Sequence, residues 1–575
     1  MNVAPPKAQQ LSMLRRRADD IMALRKPFEK RWRDCAAYNL PTAPQWAVSD
    51  ANRGDRSRTR IVDLTPCLAI DQFASGMMAG LAGSDRPWFD FSTSSKELDQ
   101  VPAVARWLER ARDILLETMT RSNWYTALER CIRDEGVFAT STMGIFEDPE
   151  RIMRCEVLPV GSYAIAQDER GMVKTVIREV AMTAQQAAGK FGFKNLRPQS
   201  QEALRNQVGH QTKVRVRHLV EEAGHGIVDG LNRPVREVYW EEDSVQGEAG
   251  EAVTWASGPQ YDAGDGILAV GSYTSFPFAT ARWGRNEADV WGTECPGFKT
   301  LGDTKQLMAM RIAMVDAVDK MIDPPLVAGP GVSNEPISQM AGGVTYTSDV
   351  TGGGSGLVPL YELAGKIPIH EVHNIIIELR ESVKAGWMVP IFLMLMEDTR
   401  QQPPTAQEVR ALERERTKVL GPVQASHESF LDAAVGRAFD IHVQASKFDW
   451  SIGQDGLLPA PPKELQGRQL RVKHTSEIAR LLKQSAMTNV EAHVAFAAEF
   501  SQVSPEAMDN IDMDAVIAAH AEGYDVPMSI RRDPDEVAEV REARAAVQEQ
   551  AAQMEQLEQA ASAAQGFAAA EGAKQ

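Results

Sequence analysis

The chain has 575 residues, of which 43% are hydrophobic and 25% charged, and its formal net charge is −17. This length suits roughly two to four domains, and the composition is that of a folded globular protein. The net charge argues against a protein whose main task is to hold DNA tightly, because DNA affinity comes mostly from Lys and Arg side chains that neutralise phosphates. The N-terminal residues are polar and contain no apolar signal segment, so we expect no secretory route. The longest strongly apolar run, 388–396, is shorter than the roughly 20 residues that a membrane-spanning helix needs.

The cysteines are spread along the chain without any C-x-x-C pair. This spacing indicates a reducing compartment and free, buried thiols, and it favours neither a disulfide framework nor a zinc site. The five are Cys35, Cys67, Cys131, Cys155 and Cys295.

The N-terminal part is predicted to be mostly helical. Apolar residues at helical spacing predict one helix over 11–40 and an apolar helix over 61–81, separated by the Arg-rich linker 49–60. A short strand is expected at 88–91, and a further helix at 101–121.

From about 137 to 290 the pattern becomes β-rich. Polar and apolar residues alternate over 213–220 and 235–240, and turns containing Gly separate the runs. We therefore expect an α+β domain whose sheet has one solvated face.

A helical hairpin is predicted next. Residues 302–322 are apolar at helical spacing without an internal proline, which predicts a helix of about six turns. The run 323–325, Asp-Pro-Pro, ends it, because proline cannot donate a backbone hydrogen bond. A second helix is predicted over 370–387. The Gly/Pro/Ser/Thr-rich residues 326–368 between the two helices form a small insert at the far end of the hairpin.

The remainder of the chain is predicted to be helical. Thr405 and Glu408 fit a capping box at the start of one helix. The Pro-rich connector 458–462 precedes a helical C-terminal third. The last residues, 534–575, are rich in Ala, Gln and Glu, and we expect a helix that frays into disorder there.

Motifs for catalysis are absent or weak, so the sequence predicts no enzyme, no cofactor and no metal site. No P-loop or G-x-S-x-G motif occurs, and the glycine run 352–356 lacks the lysine of a phosphate-binding loop. His370 and His373 are one residue too close for the H-E-x-x-H zinc motif. The pair Glu397 and Asp398 is interpreted as part of a solvated loop, and the triplet Arg-Gly-Asp at 53–55 as a chance match.

Three segments together have the order and spacing of boxes found in one protein family. The chain resembles the portal, or head-to-tail connector, proteins of short-tailed bacteriophages over roughly residues 10 to 530. Ala288 stands where the family commonly has glycine. The segments are Arg282–Glu287 with Val290–Gly292 leading into 299–325; Gln402–Val409; and Gly421–Pro422 followed by Pro459–Pro462 and Leu465–Gly467.

The resemblance implies an α+β portal fold with an α/β wing, a long helical stem hairpin, a small clip insert and a helical crown, assembled as a ring. The regions it implies are the N-terminal helices and wing (1–298), first stem helix (299–323), clip (324–369), second stem helix region (370–395), tunnel loop (396–404), wing helix and connector (405–470), and crown with a flexible C-terminal tail (471–575).

The resemblance also implies two functional sites. A tunnel loop would face DNA in the channel, and its polar tip suits a water-filled lumen: Glu397, Asp398, Thr399, Arg400, Gln401 and Gln402. The clip would dock the packaging terminase and later the tail adaptor, for which we single out Pro324, Pro325, Gly343 and Gly353.

The implied function is that of a structural ring at the capsid vertex, through which DNA is packaged and ejected. The implied partners are about eleven further copies of the chain, the terminase large subunit, a tail adaptor, major capsid and scaffolding proteins, and double-stranded DNA bound without sequence specificity. No membrane is involved. The ring would assemble in the host cytoplasm and remain in the virion.

Three alternatives stay open at this point. The first is another head-tail adaptor or internal virion protein, which would lack the insert on a hairpin. The second is a nucleic-acid-processing enzyme of the packaging machinery, and the third is a cellular oligomeric scaffold.

Overall fold

The fold is that of a computed structural model with two compact units. Unit 1 comprises Met1–Trp88, Ile114–Leu458 and Ser476–Ile478, and unit 2 comprises Phe89–Asp113, Pro459–Thr475 and Ala479–Gln575. The structure describes residues 8–40, 61–84, 86–99, 101–208, 212–222, 234–242, 267–285, 289–322, 326–328, 357–359, 369–393, 427–446, 458–475, 477–501, 509–524, 526, 530–532, 536–551 and 553–554.

Helices dominate both ends of the described chain. Two short 3₁₀ helices, Phe193–Asn195 and Lys463–Leu465, add to them. The α-helices are α1 (Ala8–Ala23), α2 (Lys26–Asn39), α3 (Thr65–Ala82), α4 (Lys96–Asp99), α5 (Pro102–Arg121), α6 (Trp124–Phe138), α7 (Ala184–Phe191), α8 (Pro198–Arg205), α9 (Pro296–Lys299), α10 (Leu301–Ile322), α11 (Ile369–Gly386), α12 (Val389–Leu393), α13 (427–446), α14 (Glu477–Phe500), α15 (Met513–Gly523) and α16 (536–551).

Within the described residues, the strands form four antiparallel sheets. Their orders are β4-β5-β6-β7-β8, β3-β2-β9, β1-β12 and β10-β11. The strands are β1 (Phe89–Ser92), β2 (Thr140–Asp148), β3 (Ile152–Leu158), β4 (Tyr163–Gln167), β5 (Val173–Thr183), β6 (Lys213–Glu222), β7 (Val235–Glu241), β8 (Ile267–Tyr273), β9 (Phe278–Arg282), β10 (Leu326–Ala328), β11 (Leu357–Pro359) and β12 (Arg471–His474).

The N-terminal helix predicted over 11–40 is wrong in one respect, because the chain turns at Leu24 and Arg25 and forms two helices. Pro27 lies in the first turn of α2. Proline is tolerated there, since the first N–H groups of a helix have no acceptor within it, whereas it would break a continuous helix. In the same way, α3 begins at Thr65, next to Pro66, rather than at 61.

The core of unit 1 is built around aromatic side chains. Trp32 is fully buried, and its Nε1 donates a hydrogen bond to the carbonyl oxygen of Phe138 at 3.0 Å. Its ring centroid lies 5.7 Å from that of Phe28 and 4.8 Å from that of Trp291. Each such aromatic pair adds about 1 kcal/mol to the burial of its area. Trp291 belongs to the segment Val290–Gly292, on which the family resemblance partly rests, and in the structure its side chain packs in this core.

The β-rich stretch is confirmed, but the expectation of one solvated sheet face is wrong for most of β6. Arg217 and Glu221 point to the face opposite the apolar core, yet they are only 3% and 2% exposed. Helix α1 supplies Asp19, which accepts from Arg217, and Arg17, whose Nη1 lies 2.9 Å from Glu221 Oε2. Charged partners on α1 therefore bind the charged side chains on a face of the sheet that the sequence alternation alone predicts to be exposed to water.

Unit 2 combines a strand pair with helices. β1 and β12 are antiparallel, with Phe89 opposite His474, and Phe89 is fully buried. Trp107 in the first half of α5 donates from Nε1 to the carbonyl oxygen of Pro459 at 3.0 Å. Further along, Tyr524 after α15 donates to Glu491 of α14 at 2.9 Å.

The five cysteines are free, and four of them are buried, as predicted. Burial raises the pKa of the Cys35 and Cys155 thiols to about 12. Among the described residues, no helix is long and apolar enough to cross a membrane, and no group of three or more His, Cys, Asp or Glu side chains is arranged to hold a metal ion.

Candidate functional site

The hairpin predicted in the middle of the chain is present as α10 and α11. Asp303 in the first turn of α10 accepts a hydrogen bond of 2.6 Å from Ser382 in the last turn of α11, so the two helices are antiparallel. Their bounds lie within one or two residues of the predicted ones. The strands β10 and β11, which pair antiparallel with Leu326 opposite Pro359, belong to the insert between the helices.

A narrow apolar seam joins the two helices. Leu307 of α10 and Ile376 of α11 are fully buried, and Leu379 is 9% exposed. Met310, Met314 and Val372 pack against these three side chains. The seam follows the spacing of three and four residues that places side chains on one face of a helix, and each fully buried side chain of this size contributes about 1.5–3 kcal/mol.

A buried aspartate ties both helices to the start of α3. The Asp63 carboxylate accepts from the backbone N–H and the hydroxyl of Thr65, at 2.9 and 2.6 Å. Its other oxygen accepts from Arg380 of α11 at 3.1 and 2.8 Å, and Arg311 of α10 lies 3.6 Å from it. Burial opposes ionisation, but the hydrogen bonds from Thr65 and Arg380 outweigh it and hold the pKa of Asp63 below its ordinary value.

The C-terminal end of α11 packs closely against other parts of unit 1. A Cβ at Gly386 would collide with the methyl group of Thr300, so only glycine fits this approach. Trp387 is fully buried with its ring centroid 5.4 Å from that of Phe73. Met388 then takes a left-handed conformation, with φ of 58°, which ends the helix and turns the chain into α12.

Beyond this anchored base, the hairpin exposes apolar side chains. Met308 of α10 is buried, but Ile312, Val315 and Ile322, which continue the same face of the helix, are 46%, 52% and 78% exposed. On α11, Ile375 and Ile377 flank the buried Ile376 and are each 39% exposed. Neighbouring exposed apolar side chains of this kind are typical of surfaces that bind another molecule.

The exposed charge of the hairpin is acidic. α10 and α11 together carry five Lys or Arg and six Asp or Glu. Three of the five cations are paired with carboxylates of unit 1, since Lys305 lies 2.7 Å from Asp34 and both arginines contact Asp63. Carboxylates therefore outnumber cations on the remaining surface.

The residues predicted as functional from the sequence lie outside the described residues. This holds for the tunnel-loop residues Glu397, Asp398, Thr399, Arg400, Gln401 and Gln402, and for the insert residues Pro324, Pro325, Gly343 and Gly353. The capping box at 405–408 lies outside them as well. The structure describes the helices that flank both segments.

Sequence reasoning missed the residues that anchor the hairpin. Asp63 lies two residues before Thr65, and an aspartate side chain often accepts a hydrogen bond from the backbone N–H two residues on, so its contact with Thr65 was predictable from the sequence. Its contacts with Arg311 and Arg380 were not, because no local pattern pairs residues so far apart.

Comparison with known proteins shows which family this chain is similar to. The model of the family described as bacteriophage head to tail connecting protein matches residues 11–531. The portal protein of Salmonella phage epsilon15 is 31% identical over 555 residues, which cover 96% of this chain and 92% of that protein. The probable portal protein of Bordetella phage BPP-1 is 29% identical over 526 residues, covering 91% and 89%.

Proposed function

The chain belongs to the family of bacteriophage head to tail connecting proteins, and from this premise we propose that it is the portal subunit of a phage capsid. Copies of it form the ring at one vertex of the head, where head and tail join. The family is structural and not one of enzymes. The observation that carries the proposal is that the similarity extends over nearly the whole chain and includes the α10–α11 hairpin.

We assign the regions of the chain accordingly. The helices α10 and α11 are the stem, within 299–323 and 370–395, and the insert 324–369 with its short strand pair is the clip. The wing comprises 1–298 and 405–470, the tunnel loop 396–404, and the crown 471–575. The support for the stem and clip is the antiparallel helix pair with a β10–β11 sheet between its two members.

The ring requires two different surfaces on each copy, because a heterologous interface closes by rotation. The exposed stripe of Ile312, Val315 and Ile322 on α10 supplies one of them. On α11, Ile375 and Ile377 lie on opposite sides of the buried Ile376, so an exposed isoleucine is available on whichever flank of this helix meets the neighbour. We propose that the α10 stripe of one copy packs against α11 of its neighbour, and that about twelve copies close the ring.

The channel carries double-stranded DNA without binding it tightly. Strong phosphate attraction would trap DNA, since each neutralised phosphate adds to the affinity. The acidic surface of the hairpin and the net charge of −17 both suit a wall along which DNA slides. Glu397, Asp398, Thr399, Arg400, Gln401 and Gln402 would line the tunnel loop.

Docking is assigned to the clip. The terminase large subunit would contact it during packaging, and the tail adaptor afterwards, at surfaces that include Pro324, Pro325, Gly343 and Gly353. Scaffolding and major capsid proteins would be further partners during assembly in the host cytoplasm. The energy for DNA movement would come from the terminase, which is a separate ATPase.

Native mass spectrometry of the purified full-length chain, with negative-stain images, tests the proposal. We expect a species of about twelve times 63.2 kDa, seen as a ring with a central hole. A stable monomer or dimer under several buffer conditions would overturn the portal assignment and favour a head-tail adaptor or an internal virion protein.

Two interface variants test how the ring closes. Ile312→Asp with Val315→Asp disables the α10 stripe, and Ile375→Asp with Ile377→Asp disables α11. Each variant alone should remain monomeric, because every junction in the ring then lacks one partner surface. An equal mixture should yield dimers only, since a single intact junction remains. Asn374→Asp adds one negative charge at a neighbouring exposed polar position and should leave the ring intact.

A further inference from the structure

Two arginine side chains at the end of β9 meet at the turn between β4 and β5. Nη1 of Arg282 and Nη1 of Arg285 both donate to Oε1 of Gln167, at 2.9 and 3.1 Å. Nη2 of Arg282 and Nη1 of Arg285 both donate to the carbonyl oxygen of Gly171, at 2.6 and 2.8 Å. Because the two guanidinium groups share both acceptors, their positive charges lie side by side.

The turn does not depend on the arginines for its shape. Asp168 accepts hydrogen bonds from the backbone N–H groups of Arg170 and Met172, at 2.9 and 2.8 Å, and these bonds close the turn locally. Gly171 has a φ of 76°, and a Cβ there would collide with the guanidinium of Arg285, so glycine permits this close approach. The geometry therefore brings a second positive charge to a turn that is already fixed.

No carboxylate forms an ion pair with either guanidinium within the described residues. Their acceptors are the amide oxygen of Gln167 and backbone carbonyls, including that of Val290 at 3.4 Å. Burial and the positive charge of Arg285 lower the pKa of Arg282 to about 10, and the more distant charge of Asp168 opposes this only in part. Two like charges that are partly removed from water repel each other, and a bound anion would relieve this repulsion.

Arg285 keeps one edge of its guanidinium group available for such an anion. Its side chain is partly exposed, and within the described residues all of its hydrogen bonds come from Nη1. The edge formed by Nε and Nη2 presents two parallel N–H groups, which is the geometry by which arginine binds both oxygens of a carboxylate or a phosphate. The site thus fits an oxyanion with two oxygens in one plane.

We propose that Arg282 and Arg285 bind the carboxylate of an aspartate or glutamate side chain from a second copy of the chain. The proposal rests on the portal function, since a ring brings a neighbouring copy against each protomer. The contact is heterologous, so the two arginines meet a different surface of the neighbour and not their own equivalents.

Charge favours a second copy as the occupant. The chain has 79 Asp and Glu against 62 Lys and Arg, so the surface of a neighbouring copy offers more carboxylates than cations. A DNA phosphate could match the same edge of Arg285, but a duplex is attracted by many cations together, and a net charge of −17 opposes that attraction.

Chemical modification of arginine in the wild-type ring tests the proposal without any substitution at the site. Phenylglyoxal reacts with accessible guanidinium groups, and a bound carboxylate blocks this reaction. In a buffer without phosphate or DNA, Arg285 should react about fivefold more slowly in the ring than in the monomeric variant with Ile312→Asp and Val315→Asp. Mass spectrometry of the peptides measures both rates. Arg170, which is exposed on the same turn, is the internal control, and its rate should change by less than about twofold.

A lysine in place of Arg285 identifies the partner. In the Arg285→Lys ring, a carbodiimide activates the carboxylate, the lysine amine forms an amide bond with it, and the carbodiimide leaves with one carboxylate oxygen as a urea. Rings assembled from isotope-labelled and unlabelled chains should give crosslinked peptide pairs of mixed label, because the carboxylate belongs to a second copy. Arg170→Lys is the matched control and should give about fivefold fewer such pairs.

Equal reactivity of Arg285 in the ring and in the monomer overturns the carboxylate contact and leaves the portal function intact. Equal protection of Arg285 and Arg170 also overturns it, since the turn would then be covered without selective binding. Protection that appears only after double-stranded DNA is added assigns the site to a DNA phosphate instead, and crosslinks that join only chains of one label assign the carboxylate to the same copy. A wild-type chain that gives no ring by native mass spectrometry overturns the portal proposal itself, so the two failures are distinguishable.

Discussion

Of the eleven largest fully buried side chains among the described residues, ten lie in unit 1 and one, Phe89, lies in unit 2. Unit 2 instead exposes large apolar side chains on its helices. Phe496, Phe500, Ile517 and Val547 are each more than half exposed. A unit that buries tryptophans can offset the entropy of ordering by itself, whereas a unit that leaves its apolar side chains in water gains much of its order from association.

The hairpin is one part of unit 1 that also exposes large apolar side chains. Its base is packed and hydrogen-bonded around Asp63, and its outer turns expose Ile312, Val315 and Ile322. Within the described residues, the outer hairpin and α16 thus share one property, which is that apolar side chains at helical spacing are exposed. The outer turns of the hairpin are also where we propose that a second copy packs.

The largest expected effect is in the core of unit 1. Trp32→Ala removes a fully buried ring and leaves the carbonyl of Phe138 without its donor, so unit 1 should lose about 3–5 kcal/mol of stability. Urea unfolding, monitored by hydrogen exchange in peptides from unit 1, measures this loss of stability. Phe496→Ala in unit 2, at a side chain that is 64% exposed, is the control and should change stability by less than about 0.5 kcal/mol. Equal losses in the two variants would remove the contrast between the units.

Acid should destabilise unit 1 through His218. Arg178 donates to His218 Nδ1 at 2.8 Å, and Nε2 lies 2.8 Å from a Glu237 oxygen, so the ring is neutral and donates from Nε2. Burial lowers the pKa of His218 to about 4, and the bond to Glu237 offsets this only in part. The unfolded chain binds this proton near pH 6.5 and the folded chain does not. Stability from this group is therefore complete above pH 6.5 and is lost as pH falls toward 4, by at most about 3 kcal/mol.

Urea unfolding of unit 1 at pH 7, 6 and 5 checks the sign. His218→Gln keeps a donor for Glu237 but cannot titrate, so its stability should fall less steeply over this range than that of the wild type. Other titrating groups are common to both proteins and cancel in the comparison. Parallel curves would mean that His218 is not the group responsible.

A smaller loss is expected at the base of the hairpin. Asp63→Ala leaves Arg311 and Arg380 without their shared carboxylate, but both arginines are about a third exposed and can reach water. We therefore expect a loss of about 2 kcal/mol, with faster hydrogen exchange in α11. Asp71→Ala, which removes the surface partner of Arg133, is the matched control and should have little effect. Similar exchange of α11 in the two variants would contradict the anchoring role of Asp63.

The local elements of this architecture could be predicted from the sequence. The apolar spacing of 302–322 and 370–387 predicts both hairpin helices, because each is decided by neighbours within one or two turns. The pairing of β1 with β12 joins Phe89 to His474, and Arg380 meets Asp63 across 317 residues. Such contacts are chosen by the whole fold and leave no periodic trace. The prediction that the polar face of β6 is exposed to solvent was wrong for the same reason, because Asp19 on the distant helix α1 accepts a hydrogen bond from Arg217.

The smallest expected effect is at the contact between α16 and α15. Arg541 donates to both carboxylate oxygens of Asp514, but the two side chains are each about 60% exposed. Exposed ion pairs stabilise little, so Arg541→Ala should leave the urea midpoint of the full chain unchanged. A loss as large as that expected for Asp63→Ala would contradict this, and would mean that the contact between the two helices holds part of unit 2 together.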